Sequence, residues 1–210
     1  MKLSLTSDRQ ATQKARTTSN VRSVSASLGL SARQRSRVLW LLVGASAAQL
    51  RVLLIFEREM KRTGGPGIIG FELAGSSERA REILDAWGPE GRAAARKSLV
   101  LDYVYPPTYA ALQALACDAS AVGFARRHRH FLARAGAPVG WGQLAAASFD
   151  YVENSALLLV LAGHDRRAPR VAQRAAQVKF ALTSLAQAYI LLAGIDAGLA
   201  RWRRRIGDTA

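Results

Sequence analysis

Three polar side chains interrupt an apolar run in the stretch FDYVENSALLLVLAG, residues 149–163. Asp150, Glu153 and Asn154 lie three or four positions apart, so a helix would carry all of them on one face. A carboxylate inside an apolar helix can be protonated, can pair with a cation, or can lie beside water or a polar ligand. The pattern therefore predicts an inward-facing cluster that holds a charge, a proton or a ligand.

A second polar stripe occurs earlier in the chain, in LDYVYPPTYAALQ, residues 101–113. Its polar members recur at helical spacing: Asp102, Tyr105, Tyr109 and Gln113. The two adjacent prolines remove backbone donors and are expected to bend this helix. A bent helix lined by acid and phenol groups, facing the first cluster, predicts a small polar cavity.

Two cations are available to these acids, Arg51 and Lys179. Their depths along the predicted helices favour Arg51 as the partner of Glu153 or Asp150, and Lys179 as the partner of Asp102. Two interpretations remain open. The pairs could simply fix the register of the helices, or the cluster could serve a ligand, a proton or a reaction.

The elements that must position these residues are four windows that are almost free of charge: residues 38–56, 98–124, 139–163 and 178–200. Each is close to the ~20 residues that a helix needs to cross ~30 Å of hydrocarbon. A soluble helix would keep one polar face, yet residues 156–163 are apolar at every angular position. We predict an all-α fold, a four-helix transmembrane bundle over residues 38–200.

The first extramembrane loop contains a short amphipathic helix, predicted over residues 77–87. Ser77 can cap it, Ala80, Ile83, Leu84 and Trp87 form its apolar face, and Gly88 with Pro89 ends it. Such a helix either rests on the membrane interface or caps the bundle. The Gly-rich stretch before it, TGGPGIIGFELAG, predicts a loop or a re-entrant connection.

The net charge of +15 and the isoelectric point near 11.2 raise the possibility of nucleic-acid binding. However, the basic runs ARRHRH and RWRRR directly follow apolar windows. Anionic lipid headgroups and the positive-inside rule already explain basic residues there. The expected partners are membrane lipids and not nucleic acid.

Residues 1–37 contain eight Lys or Arg and a single acid, which predicts a disordered basic tail, with a transit peptide as the alternative. A second basic tail is predicted over residues 201–210. Four spans place both tails on one side, which then carries sixteen Lys or Arg against twelve on the other. The bias predicts that both termini are cytoplasmic, in a bacterial inner or plasma membrane.

Other chemistry has little support in the sequence. The three histidines are not spaced as metal ligands, so we expect no metal site and no cofactor. The single cysteine, Cys117, cannot form an intrachain disulfide. No residue can be assigned a catalytic role. Gly194 and Gly198 form a small-xxx-small pair, which favours close helix packing and permits a homodimer.

The blocks FELAGSSERAREILDAWG, LDYVYPPTY and DYVEN, in this order, resemble those of small bacterial multi-pass membrane proteins that are uncharacterised as a family. The resemblance covers roughly residues 39–200. It implies a helical membrane protein and carries over no activity.

Three functions follow as hypotheses. The cluster could bind or pass a polar small molecule, a lipid headgroup or a proton. Alternatively, a membrane enzyme could act on lipid at the interface through Glu72, Asp102 and Tyr105. The third hypothesis is a non-catalytic membrane scaffold or assembly protein.

Overall fold

A computed structural model describes residue 26, residues 28–163 and residues 166–207. Most of the predicted basic N-terminal tail and the last residues of the C-terminal tail lie outside these ranges. The described residues form helices without a strand. The helices are α1 (Ala32–Arg62), α2 (Ile68–Glu72), α3 (Ser77–Asp102), α4 (Tyr105–Arg126), α5 (His130–Ala162) and α6 (Ala168–Gly207). The all-α prediction is confirmed.

Helix α1 begins earlier than the sequence pattern indicated. Ser31 caps it, because its side chain accepts from the backbone N–H of Gln34 while the Gln34 side chain accepts from the Ser31 backbone. This reciprocal arrangement satisfies two donors that the first turn leaves free. Residues 32–37, predicted to belong to the tail, are therefore helical. At the other end of the chain, α6 likewise continues to Gly207, into the predicted second tail.

The predicted second span, residues 98–124, is divided between two helices. Its first five residues belong to α3, and α4 starts at Tyr105 after a two-residue turn. Pro106 and Pro107 lie in the first turn of α4 instead of bending a continuous helix. Proline is well tolerated there, because first-turn N–H groups have no partner within the helix.

The predicted amphipathic helix is the first half of α3. Its cap is Ser76 and not Ser77, with the Ser76 hydroxyl accepting from the N–H of Arg79 at 3.1 Å. The helix is kinked at Gly88 (φ 57°, ψ −165°), and Pro89 starts a second half that reaches Asp102. Gly88 and Pro89 therefore end the amphipathic helix where the sequence predicted, and a second helical segment follows directly.

The apolar face of α3 packs against protein. Trp87 is 1% exposed and donates its indole N–H to the carbonyl of Pro66 at 2.7 Å. One buried core joins α3 to α2, to the end of α1, to the end of α5 and to the start of α6; we call this region the cap. The capping interpretation of the amphipathic helix fits this packing.

The C-terminal part of α5 is enclosed by the cap. Ala156, Leu157 and Val160 belong to its core, together with Leu99 of α3 and Ala172 of α6. The apolar run of residues 156–162 is therefore explained in large part by protein neighbours, whereas the sequence pattern pointed to lipid.

Beyond the cap, α4 occupies the centre of the molecule. It packs against α5, α6 and α1, while α5 also packs closely on α6. Helix α1 packs against α3 and α4, and α6 packs against α4 and α5. The residues that line the space between α1 and α6 form the candidate site.

Three helices are long and apolar enough to cross a membrane: Ala32–Arg62, His130–Ala162 and Ala168–Ile206. The fourth predicted crossing, now represented by α4, does not reach the same apolar composition, since it carries Gln113 and Asp118 in its interior. The finding is consistent with a membrane protein, with three candidate spans where the sequence predicted four.

Candidate functional site

The centre of the site is the ammonium group of Lys179, which three carboxylates share. Its Nζ lies 2.7 Å from Glu153 Oε2, 3.3 Å from Asp150 Oδ1 and 3.9 Å from Glu72 Oε2. All four side chains are at most 10% exposed. One positive charge therefore faces three potential negative charges in a site nearly closed to solvent.

Two of the carboxylates are positioned by α5 and the third by α2. Asp150 and Glu153 are one turn apart on the face of α5 that packs against α6. Glu72 ends the short helix α2, which Glu57 of α1 fastens by accepting from the N–H of Ile68 at 2.8 Å. A Cβ at Gly67 would meet the Glu57 carboxylate, so a larger residue there would displace Glu57 from Ile68.

A fourth acid, Asp102, lies at the end of α3. Its Oδ2 accepts a hydrogen bond from the amide of Asn154 at 2.7 Å. Burial, together with the neighbouring Asp150 carboxylate, raises the pKa of Asp102 to about 6. Burial also raises the pKa of Glu72 above its ordinary value, while Lys179 partly opposes this effect. Neither acid is held firmly in its ionised form by its surroundings.

These groups line a pocket of about 500 Å³. Its apolar wall comes from α1, through Leu50, Leu53 and Leu54, and its rim carries Glu57 and Lys61. The polar side is formed by residues of the other helices: Glu72, Asp102, Tyr105, Tyr109, Gln113, Asp150, Asn154, Lys179, Thr183, Ser184 and Gln187. The pocket thus combines an acidic interior with an aliphatic wall.

Several acceptors in this pocket have no hydrogen-bond donor among the described residues. They include Oε1 of Gln113 and Oε2 of Glu72, whose nearest cation is Lys179 Nζ at 3.9 Å, whereas the hydroxyl of Tyr109 lies beside the Asp150 carboxylate. Buried polar atoms are rarely left without a partner. The polar side of the pocket therefore holds acceptors whose hydrogen bonding is incomplete.

The structure brings most of the predicted cluster together. Six predicted residues line the pocket, and Glu153 joins them through Lys179: Asp102, Tyr105, Tyr109, Asp150, Asn154 and Lys179. Tyr105 and Tyr109 also stack at a tilt, with ring centroids 5.3 Å apart. Two patterns at separate places in the sequence thus meet in one site.

Arg51 does not belong to this cluster. Its predicted pairing with Glu153 or Asp150 is wrong, because Lys179 pairs with both. Helix α1 turns Leu50 and its neighbours toward the pocket, which leaves Arg51 exposed and outside the lining. The predicted pair of Lys179 with Asp102 is also absent, since Asp102 accepts from Asn154 instead.

Sequence reasoning missed Glu72 as a member of the ligand cluster. The Gly-rich stretch around it predicted a loop, whereas the structure shows a short helix that turns Glu72 inward. The available signal was an acid placed between the apolar groups IIGF and LA, the same kind of interruption that exposed the DYVEN cluster.

Gly194 and Gly198 make no close packing contact with the other residues that the structure describes. A Cβ at either position would have no atom within 4 Å. Their packing role therefore remains a prediction for contact with a second copy.

Among the described residues, no group of three or more His, Cys, Asp or Glu side chains is placed to hold a metal ion. Comparison with protein-family models, curated protein sequences and solved structures found no match. The fold and the site define an all-α protein with three helices that could span a membrane and a buried acidic pocket that all three of them line. The likeness to small multi-pass membrane proteins remains an expectation from the sequence.

Proposed function

We propose that the protein is an integral membrane protein in which α1, α4, α5 and α6 all cross the bilayer, beneath the cap. Helix α4 has 22 residues, a length of about 33 Å, which matches the hydrocarbon core. Since three other helices pack against it, much of its surface need not meet lipid. This accounts for a crossing helix that is less apolar than its neighbours.

The end of the bundle opposite the cap supports this placement. Large aromatic side chains are exposed there, with Trp40 at 74%, Phe131 at 84% and Trp202 at 60%. Arginines flank them at the start of α1, in the turn between α4 and α5, and at the end of α6. Aromatic belts mark a membrane interface, and an excess of Lys and Arg is typical of the cytoplasmic side.

This arrangement favours anionic lipid headgroups as partners and both termini in the cytoplasm of a bacterial inner or plasma membrane. The open faces of Gly194 and Gly198 leave room for a homodimer. The lipid partners, the cytoplasmic termini and the homodimer are all part of this proposal.

The function that the site supports best is binding of a positively charged group, carried by a polar small molecule or a lipid headgroup. The observation that carries this proposal is the excess of carboxylates: Glu72, Asp150 and Glu153 share Lys179, and within the described part of the chain Asp102 is hydrogen-bonded only to the amide of Asn154. A buried charge is costly unless it is paired. A bound cation, or protons in its absence, would offset this imbalance.

A purely structural role explains less of the geometry. Pairing that fixes helix register requires one carboxylate for each cation, and here Glu153 at 2.7 Å already provides it. The additional acids surround an open pocket with unfilled acceptors instead of a packed core. Glu72, Asp102 and Tyr105 also share this pocket, which keeps an interfacial enzyme as the alternative, although no nucleophile is identified.

The experiment compares two amphiphiles of equal chain length and opposite charge, octylammonium and octanoate. We expect octylammonium to raise the thermal-unfolding midpoint of the detergent-purified protein, since a ligand that binds only the folded state stabilises it. Octanoate should leave the midpoint unchanged. Equal shifts from both compounds would contradict the proposal.

Two variants locate the effect in the pocket. Asp150→Asn combined with Glu153→Gln should still insert into the membrane but lose the response to octylammonium. Asp102→Asn serves as a second test because it does not remove a partner of Lys179. Glu82→Gln, on the exposed surface of the cap, is the control and should respond as the original protein does.

A further inference from the structure

The position of the pocket along α1 relates it to the lipid headgroup region. Its wall begins at Leu50, within the apolar part of α1, and its rim ends at Lys61, in the charged segment EREMKR. This distance is eleven residues, or about 16 Å along the helix. The pocket thus runs from hydrocarbon depth to the level at which headgroups lie beside the cap.

The pocket also lies beside a gap between two candidate spans. Residues of α1 and α6 line it, yet α1 packs against α3 and α4 while α6 packs against α4 and α5. The aliphatic wall continues outward, since Leu50 is 46% and Leu54 is 43% exposed. An acyl chain can follow these leucines while a headgroup occupies the polar side.

The acceptors of the pocket determine which kind of cation fits. Glu72, Asp102 and Asp150 line it with carboxylate oxygens, and the hydroxyl of Tyr109 lies beside Asp150. A primary ammonium supplies three N–H donors, whereas a quaternary ammonium supplies none. Hydrogen bonding therefore favours a primary ammonium over a fully methylated one.

The rim suits the phosphate that such a headgroup carries. The side chain of Lys61 is 61% exposed and lies 2.8 Å from Glu57, so its ammonium stands at the mouth of the pocket. The acids lie deeper, around Lys179. Acids inside and an exposed lysine beside Glu57 at the rim complement a zwitterion that enters with its ammonium first.

We infer that the pocket between α1 and α6 binds a glycerophospholipid with a primary ammonium headgroup, of the phosphatidylethanolamine type, which enters sideways from the leaflet beside the cap. The ammonium lies among Glu72, Asp102 and Asp150 and donates to Tyr109. The phosphate contacts Lys61, and the acyl chains run along Leu50 and Leu54. This inference rests on the proposed function and specifies its ligand.

The test uses native mass spectrometry of the intact protein in detergent, with lipids of identical acyl chains. The series runs from phosphatidylethanolamine through its N-methyl and N,N-dimethyl derivatives to phosphatidylcholine and removes one donor at each step. We expect affinity to fall along the series, by about tenfold or more overall, because hydrogen bonds to charged groups are lost. Equal affinity for the first and last lipids would overturn the inference.

Variants and soluble probes make the test specific. Tyr109→Phe should weaken phosphatidylethanolamine and flatten the series, while Tyr103→Phe, outside the pocket lining, should not. Glycerophosphoethanolamine, which lacks acyl chains, should bind much more weakly; if it matches the lipid, sideways entry is wrong. If octylammonium binds and none of the lipids binds, this inference is overturned while the proposed function stands. Failure of octylammonium as well would overturn both.

Discussion

At the scale of single residues, Lys179 is the side chain on which the site depends. It is the only cation within 4 Å of Asp150, Glu153 and Glu72 among the described residues. Lys179→Met should therefore destabilise the protein strongly, by about 3–5 kcal/mol, because it leaves buried carboxylates without a counter-charge. Chemical unfolding in mixed micelles measures this loss.

Arg51 provides the matched comparison. It is exposed, and no ion pair to it is found in the part of the chain that the structure describes. Arg51→Met should change the free energy of unfolding by less than about 1 kcal/mol, in line with surface substitutions. A loss as large as that of Lys179→Met would show that Arg51 pairs with the acids after all.

Asp102 gives the site a pH dependence. The groups that face it are Glu72 on α2, Tyr105 on α4, Asp150 and Asn154 on α5, and Lys179 on α6. Since the folded pKa of about 6 lies above the ordinary 3.8, the folded state favours the protonated acid. Its contribution to stability is complete below the ordinary pKa and is lost as the pH rises through about 6.

Without ligand, the unfolding midpoint should therefore decrease as the pH rises from about 4 to about 6, and Asp102→Asn should make this decrease smaller. Binding of octylammonium should show the opposite trend and strengthen as the pH rises through about 6, where Asp102 ionises in the folded protein. A ligand affinity that does not change across this range in the original protein would contradict a role for Asp102 charge.

Part of this site was predictable from sequence and part was not. Helical spacing alone grouped Asp150, Glu153 and Asn154, because residues three and four apart share a helix face. The choice of cation depended on the rotation of α1, which places Leu50 and not Arg51 toward the pocket. The pattern of residues along α1 does not determine that rotation, because the helix is apolar on most sides.

Among the helices, the kink in α3 depends on the backbone conformation of one glycine. Gly88 has φ 57° and ψ −165°, a combination that only glycine adopts readily. Gly88→Ala should cost about 1–3 kcal/mol, although a Cβ there would have no steric neighbour within 4 Å. Thermal unfolding of the variant measures the cost.

Gly194→Ala is the matched control within a regular helix. Its Cβ also meets open space, so the substitution should be neutral or stabilising by about 0.5–1 kcal/mol in the monomer. If Gly194 packs against a second copy, the same variant should lower the dimer fraction seen by size-exclusion chromatography with light scattering. Equal destabilisation by the two substitutions would show that strain at Gly88 is not the cause.

Element boundaries explain most of the differences from the sequence prediction. The apolar window 98–124 reads as one span, yet Asp102 ends α3 and the proline pair starts α4. Hydropathy does not distinguish a helix that continues from one that restarts after a tight turn. The DYVEN helix was predicted correctly as a helix, but the cap around its C-terminal part depends on long-range packing with α3.

At the scale of the whole molecule, the number of crossings follows from whether α4 spans the bilayer. If it does, Glu90 in the cap and Arg129 after α4 lie on opposite sides of the membrane. Single-cysteine variants at these two positions, on a Cys117→Ala background, should react with a membrane-impermeant maleimide from opposite faces of sealed vesicles. Labelling of both from the same face would reduce the bundle to three crossings.

Whether the pocket binds a cation can be measured most directly by how well a cation protects the pocket carboxylates from chemical modification. Dicyclohexylcarbodiimide modifies protonated carboxyl groups in apolar sites, and peptide mass mapping locates each adduct. We predict that octylammonium protects Glu72, Asp102 and Asp150, that octanoate protects none of them, and that exposed acids such as Glu90 are unaffected. Unchanged labelling of these three residues at saturating octylammonium would show that the pocket carboxylates do not bind the cation.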